Sequence, residues 1–279
     1  MNPTAPAPHR NGEAELRVGS VAGRSAVLRS RATSPLRLLT PRSQAREVLA
    51  FTSSYGGGFV PGDETRLQVQ IDSGARCFLS TQASTKIYRN PAALPCSHRL
   101  DATVGEGALL IVAPDAVQCF AESRYEQTQR FDLATTANLV LVDWMSGGRT
   151  ERGERWNFHR YLSRNTVYRD GKLLVLDPVM FDAARGLIDS RYRVGRFNCF
   201  ATVMILGPAL VSHARDVLDA IAASPIAPHA DTIIAASPLH ECVLLRLAGT
   251  GIEQVARQIQ HHLGFIGKLL DDDPWSRKW

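Results

Sequence analysis

Ser80-Thr81-Gln82-Ala83-Ser84-Thr85-Lys86 gathers four hydroxyl side chains and one of only four lysines directly behind an apolar run. A serine beside a lysine can act as a nucleophile with its own base. The spacing Ser84-x-Lys86 is short, however, and no glycine signature for an oxyanion hole follows it, so a polar strand end accounts for the cluster equally well. Gly57 and Gly62 are spaced like the first and last glycines of a phosphate-binding loop, but Asp63 and Glu64 stand where lysine and a hydroxyl residue belong. Two carboxylates there repel a phosphate. No G-x-S-x-G elbow and no H-E-x-x-H helix occurs. His240-Glu241-Cys242 opens an apolar run, which puts His240 and Cys242 on one strand face as a soft-metal pair or as a strand entrance with a buried cysteine. Cys96-Ser97-His98 offers two ligands of a loop site, and His261 and His262 point about 100° apart on a helix; two ligands make no closed site.

A second concentration runs from Leu141 to Phe158. Asp143 ends an apolar run, and an Arg/Glu-rich turn follows between Trp144 and Trp156. From Arg149 to Arg169 there are six arginines against two glutamates. Arginine and tryptophan together mark interface anchors, so Trp144, Arg149, Arg152 and Trp156 are candidates for a docking edge or a buried ion-pair network.

Composition limits what such residues can belong to. The chain has 279 residues, 44% of them hydrophobic, enough for a sizeable core. No apolar run reaches the roughly 18 to 20 residues that a spanning helix needs. The start, Met1 to Gly12, is proline-rich without the apolar centre of a secretory signal, and residues 1–13 read as a disordered tail before one domain over 14–279 of a cytoplasmic protein. Cys77, Cys96, Cys119, Cys199 and Cys242 are odd in number and lack clamp spacing, which argues against a disulfide framework or structural zinc. The net charge of +5 comes from 28 arginines among 32 basic residues, scattered among 27 acids, with no basic stripe for nucleic acid.

The elements that must position these residues read as mostly β from Ala14 to about Ala248. Leu67, Val69 and Ile71 alternate with Gln68 and Gln70 on a half-buried strand. Further strands are expected over 76–81, 108–113, 138–142, 172–176, 197–206 and 242–247, separated by Asn90-Pro91, Gly105-Glu106-Gly107 and Asp170-Gly171. Spacings of three and four predict one amphipathic helix over Ile252–Leu270, and a second from Pro208 to Ala223, stopped by Ser224-Pro225.

Several motifs, in order, resemble the UreD (UreH) family of urease accessory proteins. They are Ser53-Ser54-Tyr55-Gly56-Gly57-Gly58-Phe59-Val60-Pro61-Gly62-Asp63, Thr81-Gln82-Ala83-Ser84-Thr85-Lys86-Ile87-Tyr88, Ala113-Pro114-Asp115-Ala116-Val117-Gln118-Cys119-Phe120, and Ser146-Gly147-Gly148-Arg149 to Gly153-Glu154. Gly195-Arg196-Phe197-Asn198 and the segment around Trp275 extend the likeness, which covers roughly residues 15 to 275. The serine-rich forms look closer to the branch that includes plant and fungal members than to the shorter bacterial pattern. The resemblance implies a mainly β fold, a β-helix-like wrap of many short strands in two sheets, with two α-helices near the C-terminus. It implies a non-enzymatic assembly factor that binds urease apoprotein with UreF and the GTPase UreG, within a hetero-oligomer and without tightly bound cofactor. Nickel (Ni2+) is then cargo, passed along an internal polar route whose matching positions are Asp63, Ser84, Thr85, Lys86, Asp143, Glu154 and Asp177, with Asp63, Asp143 and Asp177 as transient metal ligands. Lys86 would oppose a cation, so a pair with Asp63 or Asp143 is expected. The alternative is an enzyme using Lys86 with Ser84 and a nearby carboxylate.

Overall fold

Thr65, Leu67, Val69 and Ile71 are buried while Glu64, Arg66, Gln68 and Gln70 face water, the period-two pattern of a strand with one solvated face. That strand is one rung of a stack. The computed structural model describes residues 11–42 and 46–276. The chain forms β1 (Asn11–Val21), β2 (Arg24–Ala32), β3 (Leu36–Leu39), β4 (Val48–Ser54), β5 (Gly58–Phe59), β6 (Glu64–Ile71), β7 (Arg76–Thr81), β8 (Thr85–Ile87) and β9 (Cys96–Val104). It continues with β10 (Leu109–Val112), β11 (Val117–Cys119), β12 (Arg124–Leu133), β13 (Asn138–Ser146), β14 (Arg160–Arg169), β15 (Lys172–Asp182) and β16 (Cys199–Leu206). Helix α1 (Val211–Ala222), β17 (Thr232–Leu239), β18 (Cys242–Gly249), α2 (Ile252–His262) and α3 (Phe265–Leu270) complete it.

The first sheet has the order β15-β14-β12-β9-β6-β1-β2, and the second runs β17-β18-β16-β13-β10-β7-β4-β3. From β6 to β14 the chain alternates between them, and like strands stack in parallel: β6 on β9, β9 on β12 and β12 on β14, with β7, β10 and β13 doing the same opposite. Antiparallel strands β2, β3, β15, β16, β17 and β18 extend the two ends. The corners stack as well. The amides of Gly105, Ala134 and Asp170 donate to Ile71 O, Val104 O and Leu133 O at 2.8, 2.9 and 3.0 Å. Gly105 has no substitute there, because a Cβ would lie 2.7 Å from Ser73 N.

Two cores follow from two kinds of covering. Between the sheets, Leu67, Leu100 and Phe131 meet Leu79, Leu110 and Leu141. On the far side of the second sheet, Phe78, Ile111, Val140 and Ile205 meet Val217 and Ile221 of α1, Val255 and Ile259 of α2, and Ile266 and Leu270 of α3. Strand β13 is therefore buried at every position.

The expected mainly β, two-sheet wrap forms. Three α-helices replace the expected two: Pro208–Leu210 is a 3₁₀ turn before α1, and the stretch over Ile252–Leu270 breaks at Leu263-Gly264. Glycine is a poor helix former, by about 1 kcal/mol relative to alanine. Buried Leu263 and Ile266 keep their spacing across the break, which hides it from periodicity. Strand β1 begins at Asn11, inside the stretch expected to be tail, and residues 1–10 lie outside the described residues. No helix of the described residues is long and apolar enough to cross a membrane.

The layering yields an expectation. Leu110 is fully buried between the sheets, so Leu110→Ala should cost about 2–5 kcal/mol. Leu173→Ala, on a side chain 55% exposed, should change stability by about 0.5 kcal/mol or less. Urea unfolding of both variants measures the difference.

Candidate functional site

Parallel register turns sequence spacing into rows of side chains across a sheet. On the inner face of the first sheet one row reads Thr65, His98, Gln127, Ser163, and the next reads Gln129, Asn165, Asp177. Opposite, in the second sheet, the row is Asp143, Thr202, Arg246. The polar rows face each other at one level of the stack.

Asp143 joins them. Ser163 Oγ and Asn165 Nδ2 donate to its Oδ2 at 2.6 and 2.7 Å, and Gln127 Nε2 donates to Oδ1 at 3.1 Å. Tyr125 OH donates to Gln127 Oε1 at 3.1 Å, and Gln129 Nε2 to Asn165 Oδ1 at 2.8 Å, which fixes both amides. Burial raises the Asp143 pKa and the nearby Asp177 charge adds to it, against the lowering effect of the three donors. Asp177 is held by both terminal nitrogens of Arg246, one of which also donates to Thr202 Oγ1 at 2.6 Å.

Space surrounds this group. A cavity of about 100 Å³ is lined by Ser84, Thr85, His98, Asp115, Gln127 and Asp143, and partly exposed Ser54 and Ser84 and exposed Gly57 also border it. A second, of about 430 Å³, is lined by Asp143, Tyr161, Phe181, Thr202 and Arg246, with Ile226, 78% exposed, on its rim. Asp143 and Trp144 belong to both linings, so the carboxylate stands at their junction.

Of the seven expected route positions, Ser84, Thr85 and Asp143 line the first cavity, and Asp177 reaches the second through Arg246. Asp63, Lys86 and Glu154 line neither. Asp63 is buried in its turn, where Val60 N donates to its Oδ2 at 2.9 Å. Glu154 accepts from Arg149 Nε at 2.9 Å, and that hydrogen bond lowers its pKa. Lys86 is exposed and enters no ion pair among the described residues, so the expected pair with Asp63 or Asp143 does not form; nor does a hydrogen bond join it to Ser84. The strand that carries it alternates, and only its neighbours Thr85 and Ile87 turn inward.

Of the two expectations for this segment, a docking edge or a buried ion-pair network, neither describes the tryptophans, which are interior and packed among apolar groups. Trp144 belongs to the doubly covered β13 and donates Nε1–H to Pro114 O at 2.8 Å. Trp156 folds back through a positive φ of 55° to pack on Phe158, Phe181 and Phe200, and a Cβ on Gly147 would lie 2.8 Å from its ring. Arg149 is half-buried over Phe120, 4.2 Å from the ring centre, leaving Arg152 exposed. His240 sits exposed in the β17–β18 turn with φ 50°, off the face of buried Cys242. All five cysteines are free and buried, and burial pushes the thiols of Cys77, Cys199 and Cys242 up to about 12. Among the described residues no three His, Cys, Asp or Glu side chains converge as a metal cage. The site residues missed by sequence reasoning are Gln127, Gln129, Ser163, Asn165, Thr202 and Arg246, together with His98, which was read as a loop residue and lies on β9.

The sequence model of the family described as UreD urease accessory protein matches residues 10–279. The chain is 44% identical to the urease accessory protein UreD of Sorangium cellulosum, over 96% of this chain and 84% of that one. It is 40% identical to the protein of the same name from an Anaeromyxobacter species, over 96% and 90%. It is 32% identical to urease accessory protein D of Oryza sativa subsp. indica, over 93% and 94%. The two bacterial proteins are more similar to this chain than the rice protein is.

The Asp143 environment makes stability depend on pH with a definite sign. A carboxyl whose folded pKa is raised contributes stability below its unfolded pKa and loses it as pH rises through the folded value. Asp143→Asn, which cannot ionise, should therefore gain melting temperature relative to the parent as pH rises from 4 to 8. Calorimetry across that range would contradict this if the gap stayed constant or narrowed.

Proposed function

The chain belongs to the UreD urease accessory protein family, and on that premise we propose that it is an assembly factor rather than an enzyme. It binds urease apoprotein together with UreF and UreG in a cytoplasmic hetero-oligomer, and it passes nickel towards the urease active site. The observation that carries the route is Asp143, a buried carboxylate shared by two adjoining cavities, the first lined also by hydroxyls, amides, Asp115 and the His98 imidazole and the second by Thr202 and Arg246. Nickel in transit needs donors strong enough to draw it from water and sparse enough to release it. A buried carboxylate held by hydroxyl and amide donors, with few further ligands around it, meets that condition, where a closed Cys/His cage would hold the ion. Asp177, neutralised by Arg246, marks the far side of the path.

Partner binding has its own support. Leu187, Tyr192 and Ile226 are each about 80% exposed, which favours burial against another protein. The chain alone should therefore be poorly soluble and be rescued by co-expression with UreF; a monodisperse monomer at high concentration would count against an obligate complex.

Nickel content and activity of urease from cells lacking this gene, with and without restoration, test the main reading. Restoration should return both, and Asp143→Ala should restore several-fold less activity at limiting nickel. Fully nickel-loaded urease in the absence of the gene would remove the role; full restoration by Asp143→Ala would remove the residue from it.

A further inference from the structure

His98 occupies the same inner row as Gln127 and Ser163, and it lines the cavity that Asp143 closes. Its protonation state can be read from its neighbour. Thr65 has a single hydroxyl proton, and its Oγ1 lies 3.1 Å from Ser97 O, a pure acceptor, and 2.8 Å from His98 Nδ1. Both contacts are satisfied when the hydroxyl donates to the carbonyl and Nδ1–H donates to the hydroxyl. That leaves the lone pair on Nε2, which has no hydrogen-bond partner among the described residues and is not among the side-chain nitrogens sealed from solvent. Phe59 stacks on the ring with centroids 6.3 Å apart and Tyr125 packs behind Phe59, so the ring plane is held.

We propose that His98 Nε2 is the nitrogen donor of a transient nickel site in this cavity, acting with the Asp143 carboxylate and water. The identity of the ion rests on the function proposed above; the pairing of the two donors rests on their lining the same cavity. An anchored ring, its second nitrogen donating to a fixed acceptor, is the arrangement that orients histidine ligands in metal sites. With Nδ1–H given to Thr65, Nε2 carries a lone pair and not a proton, ready to meet an ion. The nitrogen also supplies what the oxygens cannot. Hydroxyl, amide and carboxylate donors suit magnesium and calcium, whereas imidazole favours nickel. His98 is thereby the residue that selects the cargo.

The full chain, co-purified with UreF, can be titrated with Ni2+ alone against a chromophoric chelator, with Mg2+ and Ca2+ as competitors. His98→Gln should weaken nickel binding by about tenfold or more and make it sensitive to Mg2+. The imidazole signature in the nickel X-ray absorption spectrum should disappear with it. Thr65→Val, which keeps the ligand and removes its anchor, should weaken binding less, and it serves as the second variant if His98→Gln fails to fold. If Asp143→Asn weakens nickel binding while His98→Gln and Thr65→Val match the parent, the histidine assignment falls and the route stands. If none of the three alters nickel binding and urease is still loaded, both fall.

Discussion

A carboxyl group enclosed between two sheets has to find its hydrogen-bond donors inside the protein, because an unpaired buried charge costs several kcal/mol. Asp143 finds three, on Gln127, Ser163 and Asn165. All three come from β12 and β14 of the opposite sheet, so the cluster exists only while those strands keep their parallel register and the two sheets their spacing. A slip of one residue in β14 would turn Ser163 and Asn165 to the solvent face and leave Asp143 unmet. The polar level therefore specifies the register of the stack as much as the apolar levels above and below it supply its stability. It is also the level at which the close packing of the interior gives way to cavities.

The same residues explain what was legible in the sequence. Strands β6, β7, β10 and β13 were readable because most of their buried positions, such as Leu67, Val69, Ile71, Cys77, Leu79, Leu110, Leu139 and Leu141, are apolar and their separators are turn residues. Strands β9, β12 and β14 were not: their inward positions include His98, Gln127, Gln129, Ser163 and Asn165, so apolar alternation fails on the strands that carry the site. Asp143 was legible as an acid behind an apolar run, but the expected strand end is not there: β13 continues to Ser146 and Asp143 lies within it. Its three partners were not legible, because they are brought to it by stacking separated by 16 to 22 residues in the chain, with no local pattern linking them. The tryptophans misled for a related reason. Trp and Arg flanking a turn describe a docking edge and an interior corner equally well until it is known that helices cover the second sheet, burying Trp144.

Charge placement separates the residues that resemble the family's route from those positioned to contribute. Glu154 is occupied by Arg149 and Asp63 accepts the Val60 amide in its own turn, so each carboxylate already meets a cation or a backbone donor away from the cavities. Asp143 and Asp177 share a neighbourhood with one cation, Arg246, which contacts Asp177 and not Asp143. With Asp143 ionised, the group Asp143, Asp177 and Arg246 carries a single negative charge, and Asp115 stands separately in the first cavity's lining.

That balance bears on the proposed transit. Two uncompensated carboxylates in a low-dielectric interior would bind a divalent ion tightly and repel each other in its absence; complete pairing would give the ion nothing to approach. One residual charge, spread by three hydrogen bonds that polarise away from the carboxylate, attracts a cation while limiting how firmly it is held. The raised pKa of Asp143 acts in the same direction, since a carboxyl that returns to its protonated form more readily than usual competes with the ion it has bound. Arg246, nearly half exposed at the second cavity, sets the far limit of this arrangement: on the proposed route an ion leaving Asp143 would meet a positive charge that Asp177 and Thr202 already hold. The contacts with Asp177 and Thr202 hold the guanidinium at the wall of the second cavity.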